Sequence, residues 1–379
     1  MGGGRASASV RPDESTALPP LPSYDLPLWN EHSKDKLQGV LTRKGSLAKH
    51  VKHQEKAFGP FLPCVKDQIA AFQAESEKGM EAFARIGRCL VTGATMESVF
   101  VDGSAVLDAS GGRESALCPG YTYDHGRLQL LIARPKSAPR SRKLPALVWA
   151  HAGGIATTAR NWDFCGKAWA KALAAVVVIV DFRNGGDAEA PAGTMDMLAA
   201  IRWVVANAES IGVDAGRVSL MANSGGGLEG SSVCLELAAR GEAHVLKAAF
   251  LDVPMIFPDD MLGPYEGWSA WKRFEHEVVM RQQYLCYAGR GWEARWAEKP
   301  AWLHVLAAPE ALIRRAPAHV LLSTEFDMMR WQHDEYAARL HRCGVLADYV
   351  LLPGAAHTDA TPFNAKFVKI YKQAFDLYG

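Results

Sequence analysis

Three residue types scattered through the second half of the chain could together perform nucleophilic acyl chemistry. Ser224 stands in Val218-Ser219-Leu220-Met221-Ala222-Asn223-Ser224-Gly225-Gly226-Gly227, Asp327 in Glu325-Phe326-Asp327, and His357 in Pro353-Gly354-Ala355-Ala356-His357-Thr358-Asp359. A serine hydroxyl is a poor nucleophile at neutral pH, so it needs a base titrating near neutrality. That base in turn needs a carboxylate to fix its tautomer and to stabilise the imidazolium. Ser224, His357 and Asp327 can fill those roles. Attack on a carbonyl builds an oxyanion, and the two glycines of His151-Ala152-Gly153-Gly154 can turn backbone N–H groups toward it. Each member also has a plainer reading: a loop histidine, a helix N-cap at Asp327, a simple turn at 151–154, a chance serine-glycine pattern. Glu325, Asp359 and Glu229 compete with Asp327 for the acid role.

These residues are far apart in sequence and can meet only if a sheet brings them to one edge. After Leu144-Pro145, short apolar runs alternate with longer helical segments, which predicts strands at 146–150, 175–181, 218–221, 248–253, 319–324 and 348–352. Helices long enough for right-handed crossovers make this a parallel, doubly wound α/β sheet. Ligands in such sheets bind at the carboxyl ends of the strands, which is where all four motifs fall. Small residues at Ala222 and Gly226 suit a serine on a tight strand-to-helix turn, with the helix N-terminus aimed at its hydroxyl. Upstream, 91–135 has shorter β-rich runs, 98–101 and 128–132, between Asp-Gly, Gly-Gly and His-Gly turn signals. An antiparallel start to the sheet is expected there.

Residues 1–23, rich in Gly, Ser and Pro, are expected to be a disordered tail, and 24–90 a helical segment contributing to a cap. The α/β core then takes 91–254 and 318–379. It is interrupted at 255–317 by an insertion without strand signals in which Trp268, Trp271, Trp292, Trp296 and Trp302 gather. Such an insertion at the ligand edge reads as a cap, with Trp268 and Trp271 as candidate substrate contacts. The same rings could instead build the insertion's own core.

With 49% hydrophobic and 22% charged residues in 379 and a net charge of +1, the chain is globular, with no basic stripe for nucleic acid. The seven cysteines are odd in number and never form C-x-x-C, which favours free thiols in a reducing compartment and gives no zinc site. No apolar run is long enough to span a bilayer, and the start carries no apolar signal region, so a cytoplasmic protein is expected. The Met1-Gly2 start is discounted as a myristoylation signal because Ala6 stands where Ser or Thr is wanted.

From about Leu128 onward the chain resembles the hormone-sensitive-lipase-like esterases and carboxylesterases of the α/β-hydrolase superfamily. His151-Ala152-Gly153-Gly154 is similar to the family's H-G-G-G, Asp181-Phe182-Arg183 to its D-Y-R, and Ala222-Asn223-Ser224-Gly225-Gly226-Gly227 to its G-D-S-A-G-G. Glu325-Phe326-Asp327 with His333-Asp334-Glu335 resembles its acid motif. The order serine, acid, histidine is the one this fold uses. The resemblance implies an α/β-hydrolase fold with a helical cap, Ser224 as nucleophile, Asp327 as acid and His357 as base. It further implies oxyanion amides at Gly153, Gly154 and Gly225, and His151 and Ala152 beside the substrate. The expected activity is hydrolysis of a small ester with an apolar or aromatic part, through an acyl-enzyme, with no cofactor and no metal. Amide, peptide or lactone hydrolysis, acyl transfer, and a non-enzymatic receptor on the same fold stay open, as does a homo-oligomer. Four departures stand out: Ala152 and Ala222 for glycines, Asn223 for the acid before the serine, and Thr358-Asp359 after the histidine. Arg183 is expected to form a structural ion pair rather than to clamp substrate.

Overall fold

The computed structural model describes residues 84–379, except 86, 90, 140, 155–156, 186, 258–280 and 290–291. Eight strands form one sheet: β1 Ala94–Val101, β2 Leu128–Pro135, β3 Leu144–Ala150, β4 Val176–Val180, β5 Val213–Asn223, β6 Ala249–Asp252, β7 His319–Thr324 and β8 Leu346–Leu352. Their spatial order is β1-β2-β4-β3-β5-β6-β7-β8. β1 and β2 pair antiparallel, as do β2 and β4, and every later pair is parallel. All six strands expected after residue 144 form, as do the two upstream.

The apolar runs are continuous rather than alternating because both faces of the sheet are covered. Every residue of β4, Val-Val-Val-Ile-Val, is buried. The helices are α1 Gly103–Ala109, α2 Asp163–Leu173, α3 Ala192–Ala206, α4 Gly227–Arg240, α5 Arg281–Ala288, α6 Trp292–Glu298, α7 Arg330–Arg342 and α8 Ala365–Tyr378, with a single turn at Glu310–Ile313. Alternate residues of β3 split between two cores. Ala146, Val148 and Ala150 join side chains of α3, α4 and α7, whereas Leu147 and Trp149 join those of α2 and α8. α1 departs from the β-rich reading of 91–135; the Asp102 carboxylate caps it by accepting from the Ala105 N–H at 3.0 Å.

Register brings the carboxyl ends of the strands level. Ala150 pairs with Ala222, Asn223 with Asp252, Asp252 with Leu322, and Thr324 with Leu352. The segments that follow β3, β5, β7 and β8 therefore converge on one edge. α5 and α6 lie in the chain between β6 and β7. Phe257, Tyr284, Tyr287 and Trp302 are buried together there against Leu228 and Met329, so these rings do build a core of their own. The expected tail 1–23, nearly all of 24–90, and Trp268 and Trp271 lie outside the described residues. Among the described residues, no helix is long and apolar enough to cross a membrane.

Candidate active site

β5 ends at Asn223, Ser224 takes φ +51, a short turn covers Ser224–Gly226, and α4 begins at Gly227. A non-glycine residue in the left-handed region is costly, about 1 to 3 kcal/mol, and persists only where its surroundings over-determine it. Here close packing does that. A Cβ added at Gly225 would collide with the Gly154 carbonyl, one at Gly226 with the Ala150 and His151 carbonyls, and one at Gly227 with Pro254 and the Met255 backbone. The Ser224 carbonyl accepts from the Met255 N–H at 2.7 Å, which ties the turn to the chain leaving β6. The methyl of Ala222 is accommodated because α4 carries Gly230 opposite it, where a second Cβ would overlap the first.

Ser224 Oγ lies 2.8 Å from His357 Nε2, and His357 Nδ1 lies 2.7 Å from Asp327 Oδ2. A carboxylate accepts only, so Nδ1 carries the proton, Nε2 is bare, and the serine hydroxyl donates to it. Asp327 is 1% exposed, and its other oxygen accepts from the Met329 N–H at 2.9 Å. Burial works to raise its pKa. The charge and hydrogen bond of His357 outweigh that, with help from the Met329 N–H, and hold the carboxyl below its ordinary value.

The structure separates the rival acids. Glu325 accepts from the Gly354 N–H at 2.6 Å and so ties the β7 and β8 loops together, while Asp359 accepts from the Ala356 N–H at 2.8 Å within its own turn. Glu229 lies on α4 with neither oxygen hydrogen-bonded. His333, beyond the reach of motif reasoning as a packing partner, is buried with Nδ1 2.8 Å from Ser323 Oγ and Nε2 2.9 Å from the Pro254 carbonyl. The carbonyl fixes the proton on Nε2, and burial lowers the pKa, so this imidazole stays neutral beside Asp327.

Gly153 and Gly154 take φ +111 and +63, backbone that favours glycine, and added Cβ atoms there would strike Thr157 and Gln283. Among the described residues no acceptor takes the N–H of Gly153, Gly154 or Gly225. His151, expected beside the substrate, is not among the residues lining the cavity at Ser224. It is fully buried, stacked on Phe182 at 4.6 Å, and donates from Nδ1 to the Ala152 carbonyl at 2.9 Å, contacts that hold the loop. Burial lowers its pKa, against that hydrogen bond. Ala152 does face a cavity of about 310 Å³ that opens beside Ser224 and His357. The rings on that cavity are Trp149, Trp162, Trp169 and Phe363 from the α/β core, none of which was singled out from sequence. Core-type positions in apolar runs conceal such a role; the nearest signal was Trp149, two residues before His151.

Arg183 forms its expected ion pair. It grips the buried Asp196 through Nε at 3.0 Å and Nη2 at 3.1 Å, and its backbone N–H donates to the same carboxylate at 2.8 Å. Asp196 also accepts from Tyr123 Oη at 2.8 Å and contacts His125 Nδ1 at 2.9 Å. Among the described residues, no group of three or more His, Cys, Asp or Glu is arranged to hold a metal ion.

Comparison with known proteins gives a consistent likeness. A family model described as the alpha/beta hydrolase fold matches residues 147–360. Rabbit (Oryctolagus cuniculus) cocaine esterase is 28% identical over 212 residues, covering 53% of this chain and 39% of that protein. Human (Homo sapiens) hormone-sensitive lipase is 28% identical over 159 residues, 41% of this chain and 14% of that protein. The matches thus span less than half of either relative. Ethyl acetate hydrolase from Pseudomonas putida is 26% identical over 239 residues, 62% of this chain and 72% of that protein. Among solved structures, an esterase from Pyrobaculum calidifontis superposes with a TM-score of 0.65 at 19% identity, over 88% of this chain and 98% of that one, a likeness of fold.

Proposed function

The chain belongs to the α/β-hydrolase fold family, in its hormone-sensitive-lipase-like branch, and from that membership we propose that it is a carboxylesterase-type serine hydrolase of small esters. The observation that carries this reading is the unbroken hydrogen-bonded run from Ser224 through His357 to Asp327. Ser224 Oγ attacks the ester carbonyl while its proton passes to His357 Nε2. Asp327, held ionised, orients the ring and stabilises the imidazolium without itself taking the proton. The oxyanion rests against the N–H groups of Gly153, Gly154 and Gly225. That none of those amides has another acceptor among the described residues supports this reading. His357 then protonates the departing alkoxide, and water activated by the same base releases the acid from the acyl-enzyme. The apolar wall beside Ser224 supports an ester with an apolar portion.

A fluorophosphonate probe tests the nucleophile. An activated serine is phosphonylated far faster than an ordinary hydroxyl, so one adduct per chain is expected, located at Ser224 by peptide mass spectrometry. Ser224→Ala should lose the adduct and at least about a thousandfold in ester turnover with little change in thermal midpoint. Absence of labelling by even a small probe would overturn the assignment.

A further inference from the structure

The cavity beside Ser224 has a character that the proposed reaction does not require. Its inner wall is Trp149 on β3 with Cys165 and Trp169 on α2, all 2% exposed or less, and its outer rim includes Trp162 and Phe363. Trp149 and Trp162 meet edge to face, with centroids 6.3 Å apart and planes at 72°. Two indole N–H groups are already committed: Trp149 Nε1 donates to Asn223 Oδ1 at 2.7 Å, and Trp162 Nε1 donates to Thr157 Oγ1 at 3.0 Å. The Cys165 thiol stays protonated, since burial and the nearby Asp163 push its pKa up. The inner wall is thus closely packed indole and a neutral sulfur, the accessible apolar surface lies at Trp162 and Phe363, and the polar atoms of Ser224, His357, Thr358 and Thr361 stand at one side.

At the rim, the half-exposed Phe363 lies parallel to Phe164, with centroids 5.6 Å apart and planes at 14°. A large aromatic left in solvent beside an apolar cavity extends the apolar surface outward. An apolar cavity of about 150 Å³ holds one benzene, so one of about 310 Å³ has room for two fused rings. Flat rings also suit a wall of edge-to-face indoles better than a flexible chain does, because aromatic contacts add to area burial and cost little rotamer entropy.

We propose that this core cavity is the specificity subsite, and that it selects esters carrying a flat apolar group of one or two rings, lodged against Trp162 and Phe363 with the Trp149 and Trp169 indoles packed behind them. The inference rests on the esterase reading, and it moves recognition of the aromatic group from the insertion at 255–317 to the face of the sheet covered by α2.

A matched set of esters tests it. 2-Naphthylmethyl acetate carries the rings on the alcohol, methyl 2-naphthylacetate carries them on the acid, and ethyl acetate carries none. kcat/KM for each is compared between wild type and two variants, so that intrinsic reactivity cancels. Cys165→Phe fills the cavity from its inner wall; Thr361→Trp fills it from the rim and serves if the first does not fold. In a folded variant, the kcat/KM ratio of one naphthyl ester to ethyl acetate should fall by about tenfold or more, and the ester that falls identifies the half that enters. Ratios unchanged for both naphthyl esters would overturn the proposal. Failure of the esterase reading looks different: wild type turns over none of the esters and Ser224 takes no small fluorophosphonate. Calorimetric titration with 2-naphthylmethanol then reads the cavity directly. Binding to wild type that weakens about tenfold in a filled variant supports the subsite, and equal or absent binding overturns it.

Discussion

Glu229 is the sharpest test of how the helix after Ser224 is balanced. It lies on α4, five residues past Ser224, 1% exposed, and among the described residues no other residue hydrogen-bonds its carboxyl oxygens. Burial raises its pKa from 4.5 to about 8, against its own backbone N–H and with a small addition from Asp196. In the unfolded chain the same carboxyl ionises near its ordinary value. Between those two pH values the folded protein therefore holds a proton that the unfolded chain has lost, and stability must fall as pH rises through the window. At about 1.4 kcal/mol per tenfold change in acidity, the window is worth roughly 5 kcal/mol in all and roughly 3 kcal/mol by pH 7. Glu229→Gln keeps the shape and removes the charge. The variant should match wild type in stability near the acid end of the window and become progressively more stable toward pH 8. Urea unfolding followed by tryptophan fluorescence, at several pH values, gives the difference directly, and the contribution of the similarly buried Asp252 cancels in it. A difference that stays constant with pH would refute the reasoning, since it would mean that Glu229 is ionised and partnered in the fold. Ester turnover should survive, because Asp327 rather than Glu229 is bonded to His357.

Three further substitutions separate the roles of other charged groups. Asp327→Asn should lower kcat by about 10⁴-fold by favouring the wrong imidazole tautomer, whereas Asp359→Asn, which touches only its own turn, should retain most of the rate in the same ester assay. Arg183→Met removes the bidentate partner of the fully buried Asp196 and should cost about 3 to 5 kcal/mol in denaturant unfolding, with Tyr123, His125 and the backbone N–H of residue 183 left to hold the carboxylate.

The strands were legible because both faces of the sheet are covered: runs such as Leu147–Val148–Trp149 or β4 carry no helical period and end at Gly, Pro or Asp. That Ser224, Asp327 and His357 would meet was legible for the same reason, since each stands just past a strand whose end could be counted. α1 was not, because its seven residues sit among turn signals and depend on the single cap from Asp102. The aromatic walls of the cavity were hidden differently. Trp149 and Trp169 occupy positions that any packed core would fill with a large ring, and sequence alone does not show that a void adjoins them. His151 was hidden in the opposite sense: a polar residue in a loop motif suggests contact with a ligand, and its burial against Phe182 was not legible from the motif.

The meeting of Ala222 with Gly230 bears on how such serines are recognised in other chains. The gap between the end of β5 and the first turns of α4 admits one methyl and no more, and in this chain the methyl sits on the strand. A search pattern that insists on glycine two residues before the serine scores a letter and would discard this chain. A pattern that allows one Cβ to be shared between that position and the one eight residues later scores the spacing itself, and would retain it.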